Sequence, residues 1–424
     1  MDTRQLLLDS FQAAVAAADP LKIVAQHLPA PPRGRTLVVG AGKAAASMAV
    51  AVEKAWPEDA PLDGLVVTRY AHGLPTRRIR VVEAGHPVPD DAGEQAAADI
   101  REMVSRLGED DLLIALVSGG GSSLLSLPVE SVSMADLKMV TRGLLKSGAP
   151  ITEMNIVRKH LSRIQGGWLA AACRAPVVTL IVSDVTGDDP SAIASGPTCP
   201  DPSTYQDALD ILKRYDVELP ASVAAHLEAG RSGAIGETPK PGDSLFARVQ
   251  NKVIATAHQS LEAAAAVLRA QGITPMVLGD TVTGEASEVA KVYAALVREI
   301  RLYQQPFAAP VALISGGECT VTVKGNGRGG RCAEFLASLA VELDGMPGVY
   351  ALAADTDGID GTEDNAGAIL TPESAERARQ KGLHAQKMLA NNDGYSFFSA
   401  LGDLVVTGPT RTNVNDYRVI LVLP

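Results

Sequence analysis

At 424 residues the chain exceeds what one hydrophobic core usually serves, so two domains are expected. Hydrophobic residues make up 46% of it but aromatics only 4%, which leaves a core of Ala, Val, Leu and Ile, the composition of helices packed on a parallel sheet. A formal charge of -11, from 38 Lys and Arg against 49 Asp and Glu, excludes the broad basic face that nucleic acid or an anionic membrane requires.

The N-terminal stretch MDTRQLLLDSFQAAVAAADP mixes acids into apolar positions at helical spacing and lacks the basic start and apolar block of a signal peptide. No apolar run approaches the ~18 residues of a membrane span. A first strand, Thr36 to Val39, runs into VVGAGKAAASM. Read as Gly-x-Gly-x-x-Gly/Ala, this supplies Gly40, Gly42 and Ala45 as a Rossmann turn would. As a P-loop it fails, because Leu37 stands where a glycine is needed and Ala44 where a hydroxyl is needed. A helix over Lys43 to Lys54, strands at Leu65 to Thr68 and Ile79 to Glu83, a helix over Asp91 to Arg106, and strands at Leu112 to Val117 and Val177 to Val182 continue the βαβ rhythm of a parallel sheet. GRSGAIGETPKPGDS, from Gly230 to Ser244, reads as a boundary or an exposed excursion. The expected domains are therefore 1–240, Rossmann-like, and 245–424. The rhythm then resumes with strands at Lys252 to Thr256, Thr274 to Leu278, Val311 to Ile314, Val349 to Ala353 and Leu404 to Val406. Helices run through Ala270 and from Glu285 to Tyr303.

One internal echo links the halves: Ala115-Leu116-Val117-Ser118-Gly119-Gly120 recurs as Ala312-Leu313-Ile314-Ser315-Gly316-Gly317. Each is a buried strand running into a glycine-rich loop at its C-terminal end, where open α/β sheets place ligands and where backbone N–H groups are unobstructed. Gly325 to Arg331 opens a helix from Cys332 onward, so its amides and the helix N-terminus are expected to face one anion, with Arg328 and Arg331 as bidentate donors. Thr407 to Asp416 gathers hydroxyls, amides and Arg411 after a short strand.

Acids cluster twice at strand ends, in Ser183-Asp184-Val185-Thr186-Gly187-Asp188-Asp189 and in Asp355-Thr356-Asp357-Gly358-Ile359-Asp360-Gly361. The second is not an EF-hand, since glycine occupies the third ligand position and Glu363 comes too early. Mg2+, held by one or two carboxylates with phosphate oxygens and water, fits such acids better; Asp-Gly turns are the bland alternative. The four cysteines, Cys173, Cys199, Cys319 and Cys332, show neither zinc nor disulfide spacing, which points to a reduced, cytoplasmic chain. His86 and His258 read as structural hydrogen-bonders. Gly-x-Ser-x-Gly is absent around Ser122 and Ser123, which argues against a serine nucleophile.

A dinucleotide site wants an acid roughly 20 residues on, at the end of the second strand. That strand ends at Thr68 and Arg69. Arg69 is available to NADP, yet a redox enzyme has no use for several further anion loops and two acid clusters. Phosphoryl transfer does, because it needs donors on several phosphate oxygens, a divalent metal and cations.

The sequence resembles the class II glycerate 2-kinases, the MOFRL-domain family that also carries the name hydroxypyruvate reductase. The motifs run nearly end to end: VVGAGKAAASMA, EAGHPVPD, LVSGGGSSLL, EMNIVRKHLSRIQGG, SDVTGDDPSAIASGPT, LISGGECTV, NGRGGR, ADTDGIDGTEDNAGA and TGPTRTNVNDYRV. The resemblance implies two α/β domains facing a cleft, the second containing a MOFRL region at about 310–420, with ATP and Mg2+ and transfer of the γ-phosphoryl to the C2 hydroxyl of D-glycerate. It implies small-molecule partners only, and a homodimer is compatible with it. Lys43, Glu318, Arg331 and Asp357 would be catalytic. Gly42, Ser118, Gly119, Gly120, Gly121, Ser122, Asp189, Gly316, Gly317, Arg328 and Asn413 would contact nucleotide or substrate, and Asp184, Asp188 and Asp357 would hold metal. Where the family usually reads Gly-Arg-Asn-Gln-Glu this chain has Gly330-Arg331-Cys332-Ala333-Glu334, and Arg411 replaces a common glycine. An NAD(P)H-dependent hydroxypyruvate reductase and a non-catalytic sugar-acid or nucleotide binder are the alternatives; retention of Lys43, Arg331 and the acid clusters weighs against the binder.

Overall fold

The computed structural model describes residues 2–424 and divides into two compact α/β units, each taken by itself. Pro20–Ile254 forms one, and the chain up to Asp19 joins Ala255–Pro424 in the other. This differs from a split at 240/245. The Gly-Pro-Ser-rich stretch stays inside the first unit because Thr238 donates to the buried Asp201 carboxylate at 3.0 Å and the Asp201 N–H donates to the Pro239 carbonyl at 2.8 Å.

The first unit is built on a six-stranded sheet of β1 (Thr36–Ala41), β2 (Leu62–Arg69), β3 (Ile79–Ala84), β4 (Leu112–Val117), β5 (Val177–Val182) and β6 (Val249–Ala255), in the order β3-β2-β1-β4-β5-β6. β1 to β5 pair in parallel. β1, β4 and β5 are buried along their whole length, as unbroken apolar runs in a sheet covered on both faces should be. Val39, Leu65, Leu113 and Val177 pack with Ala97, Ile100 and Val104 of the helix Asp91–Ser105, whose N-cap Asp90 accepts from the Gly93 N–H. Helices Met134–Lys146, Ile151–His160, Tyr205–Arg214 and Ala221–Arg231 bury a satellite core around Val140, Leu144, Val157, Ile211 and Leu227.

The second unit carries a mixed sheet of β7 (Thr274–Gly279), β8 (Val311–Ser315), β9 (Val349–Asp355), β10 (Gly367–Leu370), β11 (Leu404–Val405) and β12 (Asp416–Val422), in the order β11-β10-β9-β12-β8-β7. β7 and β8 are parallel, whereas β12 lies antiparallel between β8 and β9, and β10 is antiparallel to β9 and β11. The N-terminal helix Thr3–Ala17 belongs here because Leu6, Leu7, Phe11 and Ala14 bury against Leu261, Ala264 and Leu268 of the helix Ala257–Ala270. Helices Ala286–Tyr303 and Arg331–Leu343 cover the other face. Among the described residues no helix is long and apolar enough to cross a membrane.

Candidate functional site

In the first unit the strand order is that of a doubly wound dinucleotide fold, and its switch point falls between β1 and β4, whose C-terminal ends carry Gly42-Lys43 and Ser118–Gly121. Gly42 has φ +137°, and a Cβ there would lie 2.1 Å from Ser118 Oγ. The Lys43 N–H donates to the Gly119 carbonyl at 2.8 Å and the Ala44 N–H to Ser118 Oγ at 3.0 Å. The space and the amides that a Rossmann turn reserves for a pyrophosphate are thus taken by the neighbouring loop.

That stitching presents Lys43 beside Gly120, which sits between two side chains: a Cβ on it would be 2.8 Å from His86 Nε2 and 3.5 Å from Lys43 Cγ. Among the described residues the N–H groups of Gly119 and Gly120 have no acceptor within the chain. Gly121 begins the short helix Gly121–Leu124 and its N–H returns to Ser118 O at 3.2 Å. Ser122 Oγ lies 2.9 Å from Ser195 Oγ, which donates to Asn155 Oδ1 at 3.1 Å, and Arg158 Nη1 donates to the same Asn155 oxygen at 3.2 Å. At the end of β5, Asp184 and Asp188 stand half-buried. Asp189 instead closes a turn, accepting from the Ser191 N–H and hydroxyl at 2.8 Å each.

In the second unit β12 enters at the edge where β8 and β9 end, with Asp416 opposite Asp355 and Arg418 opposite Ser315. Arg331, expected to neutralise the transferring phosphoryl, is held among three carboxylates. Arg331 Nε binds Asp416 Oδ1 at 2.8 Å, Nη2 binds Asp355 Oδ2 at 2.7 Å and Nη1 approaches Glu318 Oε1 at 3.3 Å. Burial disfavours the Arg331 charge, but Asp416, Asp355 and Glu318 outweigh it and hold the guanidinium above its usual range. Asp416 also pairs with the buried Arg418, which donates to the Gly316 carbonyl at 2.9 Å. Gly316 and Gly317 are buried, and the Gly316 N–H is spent on Gly279 O at 2.9 Å, so this loop is not the open cradle its sequence suggests. Asp357 and Asn413 are buried as well. Asp357 Oδ1 accepts from the Ile359 N–H at 2.8 Å and Asn413 Oδ1 from the Asn415 N–H at 3.3 Å, both shaping turns.

The anion seat expected at Gly325 to Arg331 is filled from within. Lys324 and Gly325 donate to Asn392 Oδ1, Gly327 to the Asn391 carbonyl and Arg328 to Asp393 Oδ1. The first-turn amides of the helix Arg331–Leu343 are capped by Asp360, which accepts from Cys332 at 3.0 Å and Ala333 at 2.8 Å. Gly330 is needed for this, since a Cβ there would meet Asp360 Oδ1 at 2.2 Å. The Arg328 side chain is paired with Glu363 and stacked over Tyr395 at 4.3 Å.

Burial pushes the Asp360 carboxyl up from 3.8 to about 6, against the two amide bonds that lower it. For an acid raised on folding, the native state keeps a proton that the unfolded chain has lost, so stability falls as pH rises between those values and is flat above them. The unfolding free energy of wild type minus that of Asp360→Asn is therefore expected to drop between pH 4 and 6 by on the order of 2–3 kcal/mol. Urea denaturation at half-unit steps checks this; a pH-independent difference would refute it.

Sequence reasoning missed Asp355, Asp416, Arg418 and Asp360 as a polar network. A usable signal was present: Arg418 interrupts the apolar run of β12, and a charge inside a buried strand demands a partner. Among the described residues no three His, Cys, Asp or Glu side chains gather into a metal cage.

Two family models match the chain: a domain of unknown function, DUF4147, over residues 6–228, and the MOFRL family over 311–416. A protein of Agrobacterium vitis named putative hydroxypyruvate reductase is 52% identical, with 100% of this chain and 95% of that one aligned. The glycerate 2-kinase of Pyrococcus horikoshii is 39% identical, covering 100% and 98%. The crystal structure of a glycerate kinase from Thermotoga maritima superposes with a TM-score of 0.89 at 38% identity over 99% of both chains. Full-length similarity at these identities, on the same two α/β units, places this chain in the MOFRL-domain glycerate kinase family.

Proposed function

We propose that the protein transfers the γ-phosphoryl group of ATP to the C2 hydroxyl of D-glycerate, giving 2-phosphoglycerate. The observation that carries this reading is at the switch point of the first sheet. There the amides a dinucleotide needs are spent on Ser118 and Gly119, while the Gly119 and Gly120 N–H groups stay unspent beside the Lys43 stem. This array suits a phosphate better than a nicotinamide dinucleotide. The names of the Pyrococcus and Thermotoga relatives support the acceptor.

In the reaction a bond forms between the glycerate O2 and Pγ while the Pγ–O bond to ADP breaks, and the hydroxyl proton is lost. A loose transition state needs little prior deprotonation, so orientation and charge carry the step. Lys43 neutralises charge on the transferring group, and the Gly119 and Gly120 N–H groups donate to phosphate oxygens. Mg2+ would supply further charge neutralisation. The oxygen donors that fit it are the half-buried Asp184 and Asp188, on the loop after β5, whereas Asp357 already serves a turn.

Purified protein given D-glycerate, ATP and Mg2+ is expected to release ADP and a product whose phosphorus spectrum is that of 2-phosphoglycerate, converted by enolase without a mutase. Oxidation of NADH or NADPH by hydroxypyruvate without ADP release would establish the reductase instead.

A further inference from the structure

Among the described residues the Gly119 and Gly120 N–H groups are unspent, whereas the residues that follow them are tied from several directions. The Ser122 carbonyl accepts from Gln165 Nε2 at 2.8 Å and from the Ser126 hydroxyl at 3.1 Å. The Ser122 hydroxyl lies 2.9 Å from Ser195 Oγ. Ser195 gives its own proton to Asn155 Oδ1 at 3.1 Å, so Ser122 is the donor of that pair and its proton is committed within the chain.

Ser195 stands in an unusual stretch of backbone on the loop after β5. Ala194, Ser195 and Gly196 follow one another at φ +50°, +58° and +57°, a left-handed run that L side chains rarely adopt. Such a conformation persists only where its surroundings over-determine it. Here they do. The Gly166 N–H donates to the Ser195 carbonyl and the Gly167 N–H to the Gly196 carbonyl, both at 2.9 Å. From the other end the buried Asn155 accepts from Ser195 Oγ and from Arg158 Nη1 at 3.2 Å, and its Nδ2 donates to the Ala192 carbonyl at 3.4 Å. Two donors on one oxygen fix which way the amide faces. The run brings the Ala194 methyl group onto the loop after β4: a Cβ on Gly121 would lie 2.6 Å from Ala194 Cβ and 3.0 Å from the Ala41 carbonyl. Glycine would take φ +50° without strain, but it has no methyl group to reach Gly121.

We propose that Asn155 is a positioning residue for phosphoryl transfer: by clamping the left-handed turn at Ala194–Gly196 against Gly121 and Ser122, it fixes the Gly119 and Gly120 amides that receive the phosphate. This rests on the kinase reading, and hydrogen exchange separates the two. The variants are Asn155→Leu, which removes the acceptor at similar volume, and Ala194→Gly, which removes the methyl contact. Ala194→Gly relieves backbone strain while freeing the unfolded chain, effects of opposite sign, so its melting temperature is expected within about 3 °C of wild type, and it carries the test alone should Asn155→Leu not fold. In segment 117–125 the Ser118, Gly121 and Leu125 N–H groups are bonded to Ala41, Ser118 and Gly121 carbonyls, and their exchange, read by mass spectrometry, is expected to be faster in both variants by about tenfold or more. The kcat with ATP and D-glycerate is expected to fall by about 10- to 10²-fold, with both KM values within about threefold of wild type. A turn that serves the fold alone would leave kcat untouched in a variant of wild-type stability. Unchanged exchange and unchanged kcat in Ala194→Gly would overturn the clamp. Faster exchange with unchanged kcat, or a rise confined to the KM for ATP, would overturn its part in the transfer step and leave the kinase standing. If wild-type protein forms no ADP, faster exchange in the variants keeps the clamp and removes the kinase, and unchanged exchange removes both.

Discussion

Lys43→Met is expected to lower turnover with ATP and D-glycerate by about 10²- to 10³-fold, equivalent to about 2.7–4 kcal/mol of barrier, the usual cost of removing one preorganised charge-stabilising group. The fold should survive, because the backbone of residue 43 is itself anchored. Its N–H is bonded to Gly119 O at 2.8 Å, and the next N–H to Ser118 Oγ at 3.0 Å. Methionine keeps the stem that packs beside Gly120, so a change in stability beyond about 0.5 kcal/mol is not expected. Lys43→Arg is the sharper control. A Cβ on Gly120 would lie 2.8 Å from the His86 ring and 3.5 Å from the Lys43 stem, so space beside the stem is tight, and a planar fork does not reproduce a compact ammonium there. A Lys43→Met enzyme that keeps more than about a tenth of wild-type turnover has lost under ~1.4 kcal/mol, and Lys43 then has no role in the chemistry.

The elements that could be read from sequence are those whose signal is local. Leu112 to Val117 and Val177 to Val182 are found at the bounds expected, because an unbroken apolar run flanked by polar residues can do little but lie inside a covered parallel sheet. The expectations that changed depend on partners distant in sequence. Nothing near Arg331 announces Asp416, which reaches it only because β12 inserts antiparallel between β8 and β9, in a half whose rhythm otherwise reads as parallel. Likewise Gly325 to Arg331 has the composition of an anion cradle. Its amides are consumed by Asn391, Asn392 and Asp393, and the helix N-terminus that follows is capped by the chain's own Asp360. The N-terminal helix has the same Ala- and Leu-rich character as helices of either half, so composition gave no reason to assign it across the chain to Ala257–Ala270. A glycine-rich loop in sequence thus marks where amides are exposed to something; whether that is a ligand or another loop is decided by tertiary contacts.

Arg331→Met is expected to cost about 3–5 kcal/mol of unfolding free energy, the range for removing one partner of a buried ion pair. The argument is in the exposures. The Asp355 and Asp416 side chains are 4% and 0% exposed, and Glu318 is 58% exposed. Asp416 keeps Arg418, and Glu318 can turn to solvent, so the loss falls chiefly on the buried Asp355 carboxylate, which still accepts from the Asp357 N–H at 3.0 Å. A double variant, Arg331→Met with Asp355→Asn, should therefore recover most of the lost stability, a coupling that two independent sites would not show. Arg331→Lys should fall between, because one ammonium keeps the charge but cannot bond three carboxylates in a fixed fork. Chemical denaturation of the four proteins measures this, and turnover measured well below each melting temperature separates fold from chemistry. If the double variant regains stability and turnover together, Arg331 acts by holding the acids at the ends of β8, β9 and β12. If it regains stability while turnover stays more than about 10²-fold down, the guanidinium also touches the reacting phosphoryl, as the family resemblance implies. A single Arg331→Met variant with wild-type stability would refute the structural account, since three carboxylates gathered on one guanidinium cannot lose it without consequence.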